Sequence, residues 1–444
     1  MSDRPVRVGV LSLHNSKETK AILNAVEALG HEPEWLRHEN TVIRFEDGQA
    51  SLQPDVDVIA NRLLLSNTDQ PSEELGLAQT LEGIRPMLNA PIATARAAHK
   101  TASAAALVGQ QLPVPKTALA LSTNQLNKLR DEFGEEAVYK TAIGTHGGGA
   151  WKVGADDPLT AKVGKRRAFL QELVGRSGDR PRDLRVYIVG DEIIGAMFRY
   201  AAESDWRTNV ALGGEVENAT HSAPDVALET ARRAASTVGL DFAGVDLIEG
   251  DDGWYVLEVN PTAGFKGLYQ ATGTSPAPYI AQLAVEAGGG SVDRNRVQDL
   301  SSTLDDSVPS CKPIPAPVSF DEPITIGFTE QVVVSGTSGT KTVVAKSDTG
   351  ASRTSIDLRL AADIGAGPIH TVSRVRSGSS KQAKTRPVVD LVVGIGGNQH
   401  TVAANIEDRT HMNHPVLLGR DILKNYRLDV SRRVEDHAEI ANEE

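Results

Sequence analysis

The segment "FAGVDLIEGDDGWYVLEVNPTAG", residues 242–264, limits what this chain can fold into more than any other stretch. Two runs rich in apolar and β-branched residues flank the Asp-Asp-Gly at 251–253, which is a strong signal for a hairpin turn. Pairing the two runs symmetrically about residue 252 sets Asp246 directly opposite Glu258. The segment therefore predicts a β-hairpin that brings two carboxylates together.

The face of this hairpin that carries Asp246 and Glu258 also carries Asn260, because side chains alternate along a strand. Two carboxylates that face each other at roughly 5 Å repel unless a cation lies between them. Carboxylate and amide oxygens suit Mg²⁺ and do not suit zinc. These three residues predict a magnesium site. A solvent-facing hairpin edge with acidic side chains explains the same pattern and stays open.

A glycine-rich loop lies upstream, in "EAVYKTAIGTHGGGAWKV". The pattern predicts a strand that ends at Lys140, a loop from Gly144 to Gly149, and a second strand that resumes at Trp151. Glycines let backbone N–H groups approach phosphate oxygens closely, and a fixed lysine neutralises their charge. No helix that opens on Gly-Lys-Ser or Gly-Lys-Thr follows, so the loop is not a P-loop.

Arginines at strand spacing follow in "RDLRVYIVGDEIIGAMFRYAAESDWRTNVALGGE". Arg185, Arg199 and Arg207, with Asn209 beside the last, suit bidentate binding of anionic groups. They also suit an ordinary charged surface, and the sequence alone does not decide between the two.

The rest of the N-terminal half alternates strands and helices. Residues 6–12 read as a buried strand, and Ser16 and Gly30 are placed to begin and end the helix that follows. A strand at "VDVIANR" and a helix around 72–85 extend this pattern. Residues 1–90 are therefore predicted to form a small α/β domain, and residues 91–286 a second α/β domain. The stretch "ATARAAHKTASAAALVG" is predicted as one Ala-rich helix that ends at Gly109.

Together these segments resemble the ATP-grasp fold, and specifically the RimK-type carboxylate–amine ligases. The resemblance covers about residues 6–286 and rests on "LNAPIATARAAHKTASAAALVGQQLPVPKT", "FLQELV", "DLRVYIVGDEIIGAMFR", "DWRTN" and "LEVNPTAGF" in the family's order. One departure is His99, where the family usually has Asp before the lysine. The resemblance implies ATP and Mg²⁺, for which Mn²⁺ can substitute, as cofactors. It implies nucleotide contacts for Lys100, Lys140, Gly147, Gly148, Gly149, Glu172 and Leu173, metal contacts for Asp246, Glu258 and Asn260, and substrate contacts for Arg185, Arg199, Arg207 and Asn209.

The resemblance also implies a reaction. The γ-phosphate of ATP passes to a substrate carboxylate to give an acylphosphate and ADP, and an amine then displaces the phosphate. Catalysis consists mainly of positioning and charge neutralisation, without a covalent nucleophile from the protein. Relatives lengthen protein C-termini with glutamate, glutamylate coenzymes or load carrier proteins. We expect glutamate as the amine and a protein, peptide or coenzyme as the acceptor.

The C-terminal part has a different character. Residues 287–322 lose periodicity and are predicted to be a linker, residues 323–430 to be an all-β domain, and residues 431–444 to be a polar tail. The fold class is thus α/β followed by an all-β barrel. "AKSDTGASRTS" at 345–355 contains Asp-Thr-Gly, and the partner motif "HPVLLGRDIL" follows later. A lone Asp-Thr-Gly occurs in many loops.

With its partner motif, residues 324–430 resemble retropepsin-like domains, and more closely the group labelled ATP-dependent zinc proteases. The resemblance implies that Asp348 is catalytic, that Thr349 braces its loop, and that Gly350 lets the backbone approach a water molecule. An aspartic peptidase needs two carboxylates about 3 Å apart, so activity requires a homodimer. We do not expect zinc at His411 and His414, because "HMNH" has no carboxylate or cysteine beside it.

Residues 364–389 contain no acidic residue and five basic residues. The basic residues are Arg374, Arg376, Lys381, Lys384 and Arg386. A mobile solvated loop explains them. They also suit attraction of an acidic peptide, and a glutamate tail is the product that the resemblance implies for the first half. One domain would then add the residues that the other removes.

Composition narrows the function classes. The formal charge of −12 argues against general nucleic-acid binding, and a single cysteine rules out an internal disulfide framework. No apolar run approaches the roughly 18 residues that a membrane helix needs, and no signal-peptide pattern is present. We therefore expect a cytoplasmic protein without a membrane partner. Two alternatives to a two-activity enzyme stay open. One is a ligase whose β-domain only dimerises or docks substrate, and the other is a non-catalytic ATP-binding protein.

Overall fold

The computed structural model describes residues 4–68, 70–144, 149–163, 166–175, 180–201, 206, 208, 215–313, 324–375 and 384–434. The chain divides into two compact units, Met1–Pro315 and Ala316–Glu444. None of the helices in the described part of the chain is long and apolar enough to span a bilayer.

The N-terminal part of the first unit is a small α/β layer. Its elements are β1 (Arg7–Leu11), α1 (Lys17–Ala28), β2 (Glu32–Leu36), β3 (Val42–Glu46), β4 (Gln49–Gln53), β5 (Val58–Asn61), α2 (Pro71–Glu82) and β6 (Met87–Leu88). The parallel sheet has the order β2-β1-β5-β6, and β3 pairs with β4 in a separate hairpin. As predicted, Ser16 caps α1: its Oγ accepts a hydrogen bond from the Thr19 N–H at 3.0 Å.

A short helical pair and a second sheet follow. The elements are α3 (Pro91–Ala98), α4 (Lys100–Gly109), β7 (Thr117–Ala118), α5 (Thr123–Leu129), β8 (Glu136–Thr141), β9 (Ala150–Gly154), β10 (Lys162–Val163) and β11 (Arg166–Glu172). The sheet order is β10-β11-β8-β9, with β7 on β11.

The predicted single Ala-rich helix is wrong in one respect. It is two helices, and His99 between them has an extended backbone with φ −103° and ψ 99°. His99 begins the second helix, because its Nδ1 accepts a hydrogen bond from the Ala102 N–H at 3.3 Å. Alanine propensity favours an unbroken helix, and this capping interaction outweighs it.

The largest sheet of the first unit comes last in the chain. The elements are β12 (Arg182–Val189), β13 (Glu192–Tyr200), β14 (Glu215–Asn218), α6 (Asp225–Val238), β15 (Phe242–Gly250), β16 (Gly253–Asn260), α7 (Lys266–Thr272), α8 (Ala277–Ala287) and α9 (Arg294–Ser301). The sheet is antiparallel in the order β14-β13-β12-β15-β16. Its apolar face packs against α6, whose alanines allow a close approach.

The structure differs from the predicted linker at 287–322. Helix α9 lies inside that range, and the Ser275 N–H donates to the Ser301 carbonyl at 2.7 Å. Further along, Asn24 of α1 donates to the carbonyls of Asp305 and Ser307, both at 3.2 Å. Residues up to 313 therefore pack on the first unit. The sequence of this range has few apolar residues and therefore did not predict the packing. Side-chain and backbone hydrogen bonds hold much of this segment in place.

The second unit is an all-β domain with two short helices. Its elements are β17 (Thr325–Gly327), β18 (Thr329–Ser335), β19 (Thr340–Ser347), β20 (Ser355–Asp357), α10 (Leu358–Ile364), β21 (Ile369–Val375), β22 (Lys384–Ile395), β23 (Asn398–Glu407), β24 (Val416–Leu418), α11 (Arg420–Leu423) and β25 (Arg427–Asp429). The strands β18-β19-β24-β20-β23-β22 form a row that closes where β18 pairs with β22. The result is a six-stranded barrel around a Val-, Leu- and Ile-rich core.

Candidate functional site

The hairpin of β15 and β16 forms as the sequence predicts, and Asp246 is paired with Glu258. Next to the turn, the pairing register differs by one residue from the predicted one, because Gly250 pairs with Gly253, whereas a centre at residue 252 would pair it with Trp254. A bulge between Asp246 and Leu247 then shifts the register by one residue and restores the predicted pair. Both carboxylates therefore lie on one face of the sheet.

That face carries a row of alternating charges. Arg185 of β12 is paired in register with Asp246, and Arg199 of β13 is paired with Asp183. Arg185 donates to both oxygens of Asp246, at 2.5 and 2.6 Å, and Arg199 donates to both oxygens of Asp183 at 2.7 Å. Arg199 also lies 2.9 Å from Asp246, so the four side chains form a continuous line. We call Asp183, Arg199, Asp246 and Arg185 the charge row.

The charge row is buried, and the pKa of Asp246 depends both on this burial and on its ion pairs. Burial alone would raise the pKa of Asp246, but the charges and hydrogen bonds of Arg185 and Arg199 outweigh it and hold the pKa at about 2. The same pairing holds the pKa of Arg185 well above its usual range in spite of burial. Two guanidinium groups and two carboxylates compensate one another, so the row is neutral as a whole. The Thr208 hydroxyl donates a further hydrogen bond to Asp183.

Lys100 lies opposite this row, at the first residue of α4. Its Nζ is 3.0 Å from Glu258 Oε1 and donates to the Gly144 carbonyl at 3.1 Å. The break at His99 positions it, and the Lys100 N–H donates to the Ala142 carbonyl at 2.8 Å. The histidine that departs from the family pattern thus begins the helix that carries the lysine, as a capping Asp side chain would.

Lys140 is near a partner that the sequence interpretation missed. Its Nζ donates to Gln171 Oε1 at 2.6 Å, and the Gln171 amide donates to Thr117 Oγ1 at 3.2 Å. The next residue, Glu172, accepts a hydrogen bond from the Lys116 N–H at 3.3 Å. The hydrogen-bond partners of Gln171 lie 31 and 54 positions away in the sequence. The position of Gln171 next to Glu172 is therefore the one sequence signal that could have identified it.

A narrow cleft joins these groups. Its walls include Lys100 and Leu107 of α4, Phe169 and Gln171 of β11, and Glu258 of β16. Predicted nucleotide-binding and metal-binding residues therefore border one space between the sheet that contains β11 and the sheet that contains β16. Leu173, which follows β11, is half-buried.

The donors fit a divalent cation. Asp246 and Glu258 supply carboxylate oxygens, and Asn260 supplies an amide oxygen that also accepts a hydrogen bond from the Thr262 N–H at 2.9 Å. Within the described residues, no three His, Cys, Asp or Glu side chains cluster closely enough to hold a metal ion. The third donor of the predicted set is an amide, and Lys100 balances the charge of Glu258.

Four predicted residues lie outside the described part of the chain: Gly147, Gly148, Arg207 and Asn209. Gly144 and Gly149, at the two ends of the glycine-rich loop, belong to the described part of the chain. A Cβ added to Gly149 would come within 2.3 Å of the Thr141 Oγ1, and one added to Gly144 within 2.8 Å. Both positions therefore require glycine for a close approach to β8.

The Asp-Thr-Gly of the second unit follows β19, which runs parallel to β24, the strand of the partner motif. The Asp348 N–H donates to the Leu418 carbonyl at 2.9 Å, and Asp348 Oδ1 accepts from the Gly350 N–H at 2.9 Å. The Thr349 carbonyl accepts from Arg420 at 2.9 Å. Asp348 is half-buried at the start of a tightly hydrogen-bonded loop.

A second threonine, Thr354, forms hydrogen bonds through its hydroxyl next to this loop. Thr354 is fully buried, whereas Thr349 is exposed. Thr354 Oγ1 donates to Asp421 Oδ1 at 2.8 Å and accepts from the Gly419 N–H at 3.1 Å. The role of Thr349 stays a prediction, and the sequence does not show that the Thr354 hydroxyl meets Gly419, which follows β24.

The basic segment is described in part. Arg374 and Lys384 lie at the ends of paired strands β21 and β22, and residues 376–383, which include Arg376 and Lys381, are outside the described part. Arg386 lies 2.5 Å from Glu407, which also pairs with Arg409. Arg386 is therefore held in an ion pair within the domain, and it shares the single charge of Glu407 with Arg409.

The two histidines of "HMNH" differ in exposure. His411 is exposed, and His414 is half-buried with its carbonyl accepting from Arg409 Nε at 3.0 Å.

Comparison with known proteins assigns families to both units. Residues 97–283 match the RimK-like ATP-grasp domain, and residues 361–438 match the retropepsin-like aspartic endopeptidase RimB. The second match begins after Asp348, so it does not cover the Asp-Thr-Gly.

The chain is 34% identical over 211 residues to the tetrahydromethanopterin:α-L-glutamate ligase of Methanocaldococcus jannaschii, covering 45% of this chain and 70% of the relative. It is 27% identical over 307 residues to a probable α-L-glutamate ligase of Shewanella loihica, covering 66% and 99%. Among solved structures it resembles the ATP-grasp ligase PsnB in complex with a precursor variant, Mg and ADP. That match has a TM-score of 0.51 and 20% identity, and it covers 63% of this chain and 98% of the other. The predicted ATP-grasp fold and the predicted retropepsin-like barrel are confirmed.

Proposed function

This chain belongs to the RimK-like ATP-grasp family, and we propose that it is an ATP- and Mg²⁺-dependent ligase that adds glutamate to a carboxylate-bearing acceptor. The charge row beside the Lys100–Glu258 pair is the observation that carries this proposal. It supplies buried guanidinium groups next to oxygen donors at the edge of a cleft, which is the arrangement that phosphoryl transfer to a carboxylate needs.

The residue roles follow from position. Lys100 and Lys140, together with the glycines of the loop, would contact the phosphates of ATP, and Glu172 and Leu173 would contact the adenine and ribose. Asp246, Glu258 and Asn260 would hold Mg²⁺. When bound, the metal neutralises phosphate charge and fixes its orientation.

The chain's own groups then govern the transfer. Arg185 and Arg199 neutralise the acceptor carboxylate and the phosphate that it receives, and their pairing with Asp246 and Asp183 keeps both groups in place. The acceptor becomes an acylphosphate while ADP forms, and the amine of glutamate then displaces phosphate. A cleft that excludes water protects the acylphosphate from hydrolysis.

The amine is proposed as glutamate because the relatives are named α-L-glutamate ligases. A protein, a peptide or a coenzyme is proposed as the acceptor. To test both, the protein is incubated with ATP, Mg²⁺, glutamate and each acceptor class, and the products are weighed by mass spectrometry. A gain of one or more glutamyl masses with ADP formation supports the proposal. ATP binding without phosphate release for any acid and amine would instead favour a non-catalytic ATP-binding protein.

We further propose that the second unit is an aspartic peptidase that trims the product. Asp348 supplies one carboxylate of the pair, so the active form is a homodimer with Asp348 from each chain at the two-fold axis. Asp348→Asn should abolish trimming and leave ATP turnover unchanged. Persistent trimming contradicts this proposal and favours a domain that only dimerises or docks substrate. The domain limits 1–90, 91–286 and 323–430 belong to the same proposal.

The basic segment is proposed to attract the glutamate tail. Because Arg386 is paired with Glu407, reversing its charge would place two carboxylates together and destabilise the barrel. The test therefore reverses Arg374, Arg376, Lys381 and Lys384 to Glu and keeps Arg386. Loss of polyglutamate cleavage with unchanged ATP turnover supports the proposal, and unchanged cleavage contradicts it. The matched control reverses four exposed Lys or Arg residues of the first unit.

A further inference from the structure

Arg62 is fully buried, and its guanidinium has no hydrogen-bond or ion-pair partner among the described residues. The residue is 2% exposed, and its Nε is buried without a hydrogen-bond acceptor. Its Cζ lies over the Phe265 ring, 5.3 Å from the ring centre. A cationic group in this environment has lost its water, and the ring contact replaces only part of that hydration.

A second buried arginine shows what a structural role looks like in the same chain. Arg130 is also 2% exposed, and its guanidinium donates four hydrogen bonds to backbone carbonyls at 2.8 to 2.9 Å. Arg130 is therefore fully used by the fold. Arg62 is not, and a buried charge that the fold does not compensate indicates that a ligand supplies the counter-ion.

The position of Arg62 places this ligand next to the charge row. Arg62 directly follows β5, and its guanidinium lies against the ring of Phe265. Tyr187 is two residues after Arg185 on β12, so both side chains lie on one face of the sheet. The Tyr187 hydroxyl donates to the Gly264 carbonyl, next to the Phe265 that contacts Arg62. Arg62 therefore lies at the end of the charge row where β16 leads into α7.

An opposite charge lies close by. Glu18 is in the first turn of α1, and it acts on both Arg62 and His14. A Cβ on Gly264 would come 3.4 Å from Glu18 Oε1, so this carboxylate reaches the same loop as Tyr187. A cation beside an anion suits a zwitterion, and the carboxylate of Glu18 repels a phosphate group with more than one negative charge.

A cavity lies next to the two residues that follow Arg62, and Arg62 and Glu18 themselves lie behind its lining. This cavity of about 540 Å³ opens at this end of the parallel sheet. Its lining includes His14 and the two residues that follow Arg62, Leu63 and Leu64.

From this geometry we propose that Arg62 binds the α-carboxylate of the amino acid that supplies the amine, with Glu18 facing its amino group. The proposal rests on the proposed ligase function and names the subsite for its amine substrate. A bidentate guanidinium–carboxylate contact would satisfy Arg62, and it would hold the amino group beside Arg185, where the acylphosphate forms.

The test compares wild type with Arg62→Met, which keeps the volume and removes the charge, and with Arg62→Lys. The KM for glutamate should rise at least tenfold in Arg62→Met and less in Arg62→Lys, while the KM for ATP stays within twofold. Wild type should prefer glutamate over 4-aminobutyrate, which lacks the α-carboxylate, and Arg62→Met should lose that preference. An unchanged KM and an unchanged preference overturn the inference while the ligase function stands.

Stability provides a readout that does not depend on turnover. Without substrate, Arg62→Met should be at least as stable as wild type, because it removes an unpaired buried charge, whereas the matched control Arg130→Met should be less stable. Glutamate should raise the Tm of wild type and of Arg130→Met but not that of Arg62→Met, and inorganic phosphate should raise none. If no amino acid is ligated, the proposed function fails, and these shifts alone decide the inference. An equal glutamate shift in Arg62→Met, or a shift with phosphate, overturns it.

Discussion

Asp246→Asn is the replacement that tests the charge row most directly. Asparagine keeps the shape of aspartate and removes its charge, so Arg185 loses its counter-ion while Arg199 keeps Asp183. The pKa of Asp246 is about 2 against its usual value of 3.8, and at 1.36 kcal/mol per unit this difference is worth about 2 kcal/mol. Breaking a buried ion pair by removing one partner costs roughly 3–5 kcal/mol. We expect Asp246→Asn to lower the free energy of unfolding of the first unit by about 2–5 kcal/mol.

Two further variants isolate the charge as the cause. The double variant Asp246→Asn with Arg185→Met leaves Arg199 and Asp183 as a neutral pair, so it should recover at least half of the lost stability. Glu258→Gln removes the carboxylate that is paired with Asp246 across the hairpin, where the Glu258 side chain is 29% exposed. Its effect should stay below about 1 kcal/mol, because a partly exposed ion pair contributes little.

Tryptophan fluorescence measures these differences in the intact chain. All four tryptophans, Trp35, Trp151, Trp206 and Trp254, belong to the first unit, so urea unfolding followed by fluorescence reports on that unit alone. ATP turnover, measured as ADP release, should be lost in Asp246→Asn. The reasoning fails if Asp246→Asn unfolds at the same urea concentration as wild type. It also fails if the double variant is less stable than the single one.

Three more predictions follow from single contacts. Because the pKa of Asp246 is lower in the folded chain than its usual value of 3.8, the stabilising effect of its charge is complete above about pH 4 and is lost as the pH falls to about 2. Acid titration followed by tryptophan fluorescence should therefore show the first unit unfolding between these pH values. The same titration of Asp246→Asn should show a weaker dependence on pH. His99→Ala removes the acceptor for the Ala102 N–H and should cost about 1 kcal/mol, whereas His99→Asp should restore the cap; equal urea midpoints for both would contradict this role. Thr354→Val leaves Asp421 with one partner fewer and should cost the barrel about 1–3 kcal/mol, which amide hydrogen exchange of β24 would detect; unchanged exchange would contradict it.

The features that the sequence predicts well are those set by neighbours along the chain. The hairpin at 251–253 forms as its turn residues indicate, and a bulge between Asp246 and Leu247 restores the predicted pair of Asp246 and Glu258. The cap at Ser16 is equally local. The helix break at His99 is local too, but high alanine propensity on both sides concealed it.

The site features that the sequence misses depend on contacts between distant positions. Gln171 meets Lys140 across 31 positions, and Thr354 meets Asp421 across 67. Asp183 has no motif that distinguishes it from other acidic residues, and only its registration with Arg199 gives it a role. Helix α9 escaped detection because its sequence has little apolar periodicity.

The amino-acid sequence by itself determined the order of the domains, the strands of both sheets at the cleft and the chemical types of the candidate ligands. Turn chemistry and side-chain alternation act over a few residues, so they can be recognised from the sequence alone. Tertiary structure alone decided which charges compensate one another: Asp246 is held by two arginines, Arg386 is paired with Glu407, and Arg62 has no hydrogen-bond or ion-pair partner among the described residues. Burial and electrostatic pairing depend on distances across the fold, so whether an arginine is structural or available to a ligand is settled only when the chain has folded.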